Sequence, residues 1–163
     1  KLLGAFIQHT DSKPSNQRLI CPEGQEVGKL GCKAPVMMVQ DLGLTFGEAG
    51  LLNRNQDSAS LRNWTDVPVW KPGKACVAEL KGSFTGHFKN PKISEAGRAF
   101  LAHLLMQLSD QQLVDLFETA RIRKRSADPS GDPKDDAPPA SLNDWIKAFK
   151  MKRAQIVDHR CPA

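Results

Sequence analysis

The sequence contains no uninterrupted apolar run of the roughly eighteen residues that a transmembrane helix needs, so we expect no membrane-spanning segment. It also contains no Cys-x-x-Cys pair, and the intervals between its four cysteines match no common zinc-binding template. No internal repeat is visible. Residues 2–7 are apolar but too few for a signal peptide, and we interpret them as the end of a core helix.

The composition is that of an ordinary globular domain. The chain has 163 residues, of which 40% are hydrophobic and 25% are charged, which is enough for one compact core. Lys and Arg exceed Asp and Glu by 23 to 18, and this mild basic excess suits anionic ligands such as nucleotides without identifying one. The basic cluster at residues 121–125 complements a helix end, so we expect no nucleic-acid partner.

The four cysteines can form two disulfides. Cys21 and Cys32 flank a glycine-rich turn, which leaves Cys76 to pair with Cys161 and tie the tail to the body. This pairing favours an extracytoplasmic protein, either secreted or periplasmic. The alternative is four reduced thiols in a cytoplasmic protein.

Two β-prone runs at residues 17–21 and 35–40 are separated by a stretch rich in turn residues. The pattern predicts a hairpin with a long tip that begins just after Asn16 and ends at Asp41. Since the two strands of a hairpin are antiparallel, the loops before and after it lie at the same end. Asp11 and Asp41 are therefore expected to be close in space.

Helices are predicted for much of the remaining chain. Ser94 precedes an apolar pattern of helical period over residues 95–106, and Ser109 with Gln112 forms a capping-box signal for the next helix. Ser141 with Asp144 does the same for a final helix, whose Trp145 needs a surface for burial. We expect its basic residues, Lys147, Lys150, Lys152 and Arg153, to form a solvated face.

The sequence thus predicts an α+β fold that is predominantly helical. Residues 43–63 are interpreted as a surface loop, and residues 67–88 as short strands or extended segments in a small sheet. Three parts are predicted: a core at residues 1–123, a Pro- and Asp-rich linker at 124–140, and a C-terminal helix and tail at 141–163 that pack back on the core.

The polar segments flanking the hairpin carry the residues that phosphoryl transfer requires. Asp11 can orient or deprotonate an acceptor hydroxyl, and Lys13 can contact the transferring phosphate as a compact cation. Asn16 and Asp41 offer oxygen ligands to Mg²⁺, and Gly43 allows the chain to turn sharply after Asp41.

This arrangement resembles the His-x-Asp-x-Lys-x-x-Asn catalytic loop and the Asp-x-Gly metal loop of the protein-kinase-like fold, over residues 1–47. The resemblance implies a kinase-like C-terminal lobe in which Asp11 is the catalytic base and Lys13 contacts the phosphate of ATP. It implies that Asn16 and Asp41 bind magnesium and the nucleotide, and that His9 is structural.

The sequence departs from that family in several respects. The glycine-rich nucleotide loop, its strand lysine and the partner glutamate are absent, and no Ala-Pro-Glu follows Gly43. Thr10 stands where many members have arginine, and the interval between the two loops is longer than usual. The likeness is therefore to atypical members, and the chain is expected to need a missing amino-terminal lobe or a partner chain, being inactive as an isolated fragment. The acceptor substrate is not identified by any motif.

Two alternatives use the same residues. One is a non-enzymatic, disulfide-stabilised binding module whose loops at residues 9–16 and 41–47 contact a partner. The other is a metal-dependent hydrolase in which Asp11, Asp41 and a histidine activate water.

Overall fold

The structure, a computed structural model, describes residues 1–42, 44–47, 59–82, 86–126 and 140–162. Its fold class is α+β, as the sequence predicts. The helices are α1 (Leu2–Phe6), α2 (Leu61–Thr65), α3 (Glu95–Met106), α4 (Asp110–Thr119), α5 (Ile122–Arg125) and α6 (Leu142–Val157). The strands are β1 (Gln17–Ile20), β2 (Glu26–Val27), β3 (Gly31–Cys32) and β4 (Val36–Val39), and a 3-10 turn spans Pro14–Asn16.

The three longest helices begin at the residues that their capping signals indicate. The Ser94 side chain accepts a hydrogen bond from the Gly97 amide, which satisfies one of the free N–H groups at the start of α3. Helices α4 and α6 begin with complete capping boxes, Ser109 with Gln112 and Ser141 with Asp144. The predicted starts of these helices are therefore confirmed.

Helices α3 and α4 pack on α6, and the core between them is rich in aromatic side chains. Trp64 and Trp145 are fully buried and stack with ring centroids 5.8 Å apart. Phe6 and Phe117 each contact Phe149 edge to face beside this pair. The expected burial of Trp145 is confirmed, and its indole N–H donates to Ser126 Oγ at 2.8 Å.

The expectation that Lys152 belongs to a solvated face is wrong, because this side chain is 0% exposed. Its ammonium group donates to the Trp64 and Val67 carbonyl oxygens at 2.8 and 2.5 Å and lies 5.3 Å from the centre of the Trp64 ring. The position explains the burial, since residues 145, 149, 152 and 156 recur at helical spacing on the inward face of α6. The charge of Lys152 predicts a solvated position, whereas its helical spacing from Trp145 and Phe149 predicts the buried face of α6.

The predicted hairpin is confirmed. Strands β1 and β4 pair antiparallel from Gln17↔Val39 to Ile20↔Val36, and β2 pairs with β3 near the tip. The Cys21–Cys32 disulfide closes this region, which we call the hairpin arm (residues 17–40). Its strands bury little of their surface, and Leu19, Val36 and Met37 are largely exposed.

In the described part of residues 67–88, where short strands or extended segments in a small sheet were expected, extended segments pair through isolated bridges and form no strand ladder. Trp70 and Ala78 form a single antiparallel bridge, and Val77 bridges to Lys92. The backbone bonds of this region also go to residues beyond it, for example from the Ala78 amide to the Pro91 carbonyl at 3.0 Å. Residues 83–85, assigned to its last strand, lie outside the described residues.

Both predicted disulfides are present, and Cys76–Cys161 joins the tail to the loop at residue 76. Within the described ranges, no helix combines the length and the apolar character needed to cross a bilayer. The three-part domain division stays a prediction, since residues 127–139 of the linker are outside the described chain.

Candidate functional site

The segment of residues 8–16, which carries the predicted catalytic residues, is anchored by the chain at residues 79–88. The Gln8 side chain donates to the Glu79 carbonyl at 2.7 Å and accepts from the Lys81 amide at 3.2 Å. Ser12 Oγ accepts from the Phe88 amide at 3.1 Å. Gln8 and Ser12 are both buried, so these contacts hold the loop on the domain body.

Asp11 accepts hydrogen bonds from Lys13 and Asn16 of its own loop. Asn16 Nδ2 donates to Asp11 Oδ2 at 2.8 Å and to the Asp11 carbonyl at 3.0 Å, and Lys13 Nζ contacts the same Oδ2 at 2.9 Å. Asp11 and Asn16 are buried, whereas the Lys13 side chain is 37% exposed. Because the Asn16 amide nitrogen faces Asp11, its amide oxygen is the atom suited to a hard cation.

Asp41 is placed beside this loop by backbone hydrogen bonds on either side of it. The Gln40 amide donates to the Asn16 carbonyl at 2.7 Å at the base of the hairpin arm. The Thr10 amide donates to the Leu44 carbonyl at 3.1 Å, and the Phe46 amide to the Ile7 carbonyl at 2.7 Å. The chain around Asp41 is thus held against the chain around Asp11 at both ends, and Asp41 itself is exposed with a left-handed φ of 53°.

The segment after Asp41 then passes close to α2. Gly47 has a φ of 74°, and a Cβ there would collide with the backbone of Ser60 and Trp64. Only glycine combines that conformation with that approach. Gly43, to which the sequence analysis assigned the turn after Asp41, lies outside the described residues.

His9 lies within electrostatic reach of both acidic residues. It is 4% exposed, and its ring nitrogens have no hydrogen-bond partner in the described part of the chain. Burial lowers the pKa of His9 below its ordinary value, and the negative charges of Asp11 and Asp41 oppose that shift. The charges of both acidic residues, Asp11 and Asp41, thus act on the His9 ring.

The residues at the hairpin base supply a carboxylate and an amide oxygen, the donor types that Mg²⁺ takes when most of its shell is water and phosphate. The chemistry of this donor set fits magnesium. His9, Asp11 and Asp41 do not form a compact group of three ligands. Among the described residues, the group that does is Cys76, His159 and Cys161. The geometry thus supplies no three-ligand centre at the residues that the hydrolase alternative uses.

The cluster around His159 was not identified in the sequence. Its two cysteines are 85 residues apart, and no spacing rule links His159 to Cys76. The Cys76–Cys161 pairing was the one available signal, because it places Cys76 beside the tail that contains His159.

Comparisons of this chain with models of protein families, with curated proteins and with solved structures find no match.

Proposed function

We propose that this chain is the catalytic lobe of an atypical kinase-like phosphotransferase, which uses Mg²⁺ and a nucleoside triphosphate when a complementary amino-terminal lobe is supplied. The observation that carries the proposal is the contact between Asn16 Nδ2 and Asp11 Oδ2 at 2.8 Å, formed where the Gln40 amide joins the Asn16 carbonyl. Asp11, Lys13 and Asn16 contact one another there, and the backbone next to Asp41 is held beside them.

Each residue has a role that its surroundings support. Asp11 is buried and held by Asn16 and Lys13, so its carboxylate has a fixed direction from which to accept the proton of an acceptor hydroxyl. Lys13 is partly exposed and can move from Asp11 to a phosphate oxygen. Asn16 and Asp41 would hold magnesium, which neutralises negative charge on the phosphate groups when it is bound.

Binding of Mg²⁺ and nucleotide tests this proposal through Asp41. In protein that includes the amino-terminal lobe, we expect Asp41→Asn to abolish magnesium-dependent binding of a nucleoside triphosphate, measured by isothermal titration calorimetry. Asp115→Asn is the matched control, since Asp115 is an exposed carboxylate on α4 and its loss should leave the affinity unchanged. Equal affinity in Asp41→Asn and in the unsubstituted protein would contradict the proposal.

Turnover tests the role of Asp11 in the same preparation. We expect Asp11→Asn to lower the rate of phosphoryl transfer by roughly a hundredfold to ten-thousandfold, the contribution of a positioned general base. Nucleotide affinity should change far less, because Asp11 is not assigned to the metal. A rate within about threefold of the unsubstituted protein would remove Asp11 from this role.

A second candidate is a non-enzymatic, disulfide-stabilised binding module. The two disulfides favour it, and they are also compatible with an extracytoplasmic location, which we include in the proposal. Such a module would show no magnesium-dependent binding of a nucleoside triphosphate in either the unsubstituted or the Asp41→Asn protein, so the calorimetric experiment separates the two candidates.

A further inference from the structure

The Cys76–Cys161 disulfide lies beside His159, at the opposite end of the sequence from the hairpin site. One ring nitrogen and the two sulfur atoms all lie within 4.8 Å of one another. We propose that this cluster is a redox-controlled zinc site. When the disulfide is reduced, the two thiolates and the imidazole bind Zn²⁺. When a small-molecule disulfide accepts two electrons from the thiolates by exchange and is reduced to two thiols, the Cys76–Cys161 bond forms again and the ion is released.

The distances fit a zinc centre. With Zn–S bonds of about 2.3 Å and tetrahedral angles, two thiolate ligands lie about 3.8 Å apart, and a thiolate and an imidazole nitrogen lie slightly closer. The Cα atoms of Cys76 and Cys161 are 5.4 Å apart. Once the sulfur atoms are no longer bonded, rotation of the two side chains alone can bring them to that separation.

His159 is positioned as a ligand before any ion is bound. Its ring stacks on Trp70 with centroids 4.3 Å apart and an angle of 21° between the planes. Trp70 is fixed in turn, because its indole N–H donates to the Gln155 carbonyl at 2.7 Å. His159 Nε2 is buried and has no hydrogen-bond partner among the residues described. A buried polar atom in that condition is costly, and such atoms often mark an ion or a ligand.

Both cysteines are held in place by contacts that do not depend on the disulfide. The Cys161 amide donates to Glu95 Oε2 at 2.8 Å, and Arg98 binds Glu95 and the Ile156 carbonyl. The Cys76 carbonyl accepts from the Ile93 amide at 2.9 Å. Reduction therefore frees the sulfur atoms while the backbone on both sides stays near its present position.

The redox step balances with a dithiol as the reductant. The dithiol gives two electrons and two protons, the Cys76–Cys161 bond breaks, each sulfur becomes a thiol, and the dithiol becomes a disulfide. Zn²⁺ then displaces both protons and binds the two thiolates. Three protein ligands leave the fourth position of a tetrahedral ion for water.

Metal titration of a variant with a single pair of thiols tests this proposal. In Cys21→Ser/Cys32→Ser protein, only Cys76 and Cys161 remain to be reduced. After reduction with a phosphine, we expect one equivalent of Co²⁺ to bind with the visible and charge-transfer absorption of a tetrahedral thiolate site, and one equivalent of Zn²⁺ to displace it. The oxidised protein should bind neither ion.

Substitution of the histidine distinguishes this site from a simple dithiol. We expect His159→Ala to weaken Zn²⁺ binding by at least about tenfold, since loss of even an outer-shell residue has an effect of that size. His103→Ala, on the exposed face of α3, should leave the affinity unchanged. Equal affinity in His159→Ala, or no binding by the reduced parent, would overturn the proposal.

If reduction unfolds the chain, circular dichroism can still test the proposal. In that case one equivalent of Zn²⁺ should restore the helical signal of the parent but not that of His159→Ala. Failure of Zn²⁺ to restore the parent would also overturn the proposal.

Discussion

Helices α3, α4 and α6 enclose side chains that are fully buried, such as Leu113, Trp145 and Ile156, whereas in the hairpin arm Leu19 is 75% exposed and Met37 is 53% exposed. Apolar burial therefore stabilises the helical core and contributes little to the arm. Ladder hydrogen bonds and the Cys21–Cys32 disulfide hold the arm instead.

The candidate site lies where these two regions meet. It combines buried residues on the core side with an exposed residue at the end of the arm. Asp11 and Asn16 are buried on the core side, in a loop fixed by Gln8 and Ser12. Asp41 is exposed at the end of the arm. A general base needs a fixed direction, whereas a magnesium ligand needs access to solvent and phosphate. Under the proposed function, the difference between the two regions would supply both.

The two disulfides give the largest expected contrast between core and arm. Cys76–Cys161 closes a loop of 85 residues and Cys21–Cys32 one of 11, for which the chain-entropy model gives about 4.5 and about 3 kcal/mol. We expect Cys76→Ser/Cys161→Ser to lower the unfolding temperature of the helices, measured by circular dichroism. Cys21→Ser/Cys32→Ser should chiefly expose the arm to proteolysis, because the arm is not part of the aromatic core. Greater loss of helix stability from the second variant would contradict this comparison.

Truncation of a core aromatic side chain should be nearly as disruptive. Trp145→Ala removes a fully buried indole and its bond to Ser126, so we expect the free energy of unfolding to fall by about 3 to 5 kcal/mol in urea denaturation. Met37→Ala in the arm is the control and should change it by less than about 0.5 kcal/mol. Similar losses from the two variants would show that the arm is packed as tightly as the core.

Lys152 is a fully buried charged residue in the core, and it makes the stability of the core depend on pH. Burial lowers the pKa of Lys152 from 10.5 to about 8. Between these values the unfolded chain holds a proton that the folded chain does not, so the free energy of unfolding rises with pH, by at most about 3 kcal/mol. Below pH 8 both states are protonated and this gain is absent.

Neither tyrosine nor free cysteine obscures the effect in that window. The chain has no tyrosine, and its four cysteines are in disulfides. Lys152→Met should abolish the rise in denaturant-measured stability between pH 8 and 10.5, and Lys147→Met, exposed on the same helix, should retain it. A rise that persists in Lys152→Met would assign it to another group.

Local signals in the sequence predicted the parts of the fold that local physics determines. The serines at positions 94, 109 and 141 cap helices because their hydroxyl groups reach backbone N–H groups within three residues. The hairpin follows in the same way from two β-prone runs around a turn-rich stretch. The disulfide pairing followed by elimination once Cys21 and Cys32 were placed on one turn.

The features that the sequence did not reveal depend on contacts between distant residues. The burial of Lys152 requires the Trp64 and Val67 carbonyls, more than 80 residues away. Residues 67–80 form single bridges because part of their hydrogen bonding is with residues 91–93. At the candidate site, the order of Asp11, Lys13 and Asn16 indicated one loop. No sequence pattern predicted the backbone hydrogen bonds between Thr10 and Leu44 and between Ile7 and Phe46.

Paramagnetic NMR with Mn²⁺ as a substitute for Mg²⁺ tests most directly whether the hairpin brings Asn16 and Asp41 to one cation. On the 163-residue chain, low concentrations of Mn²⁺ should broaden the resonances of the Asn16 side chain and of Asp41 together. Asp41→Asn should abolish that broadening, while Asp115→Asn should not. Broadening of Asn16 that persists in Asp41→Asn, or broadening confined to other exposed carboxylates, would contradict the account.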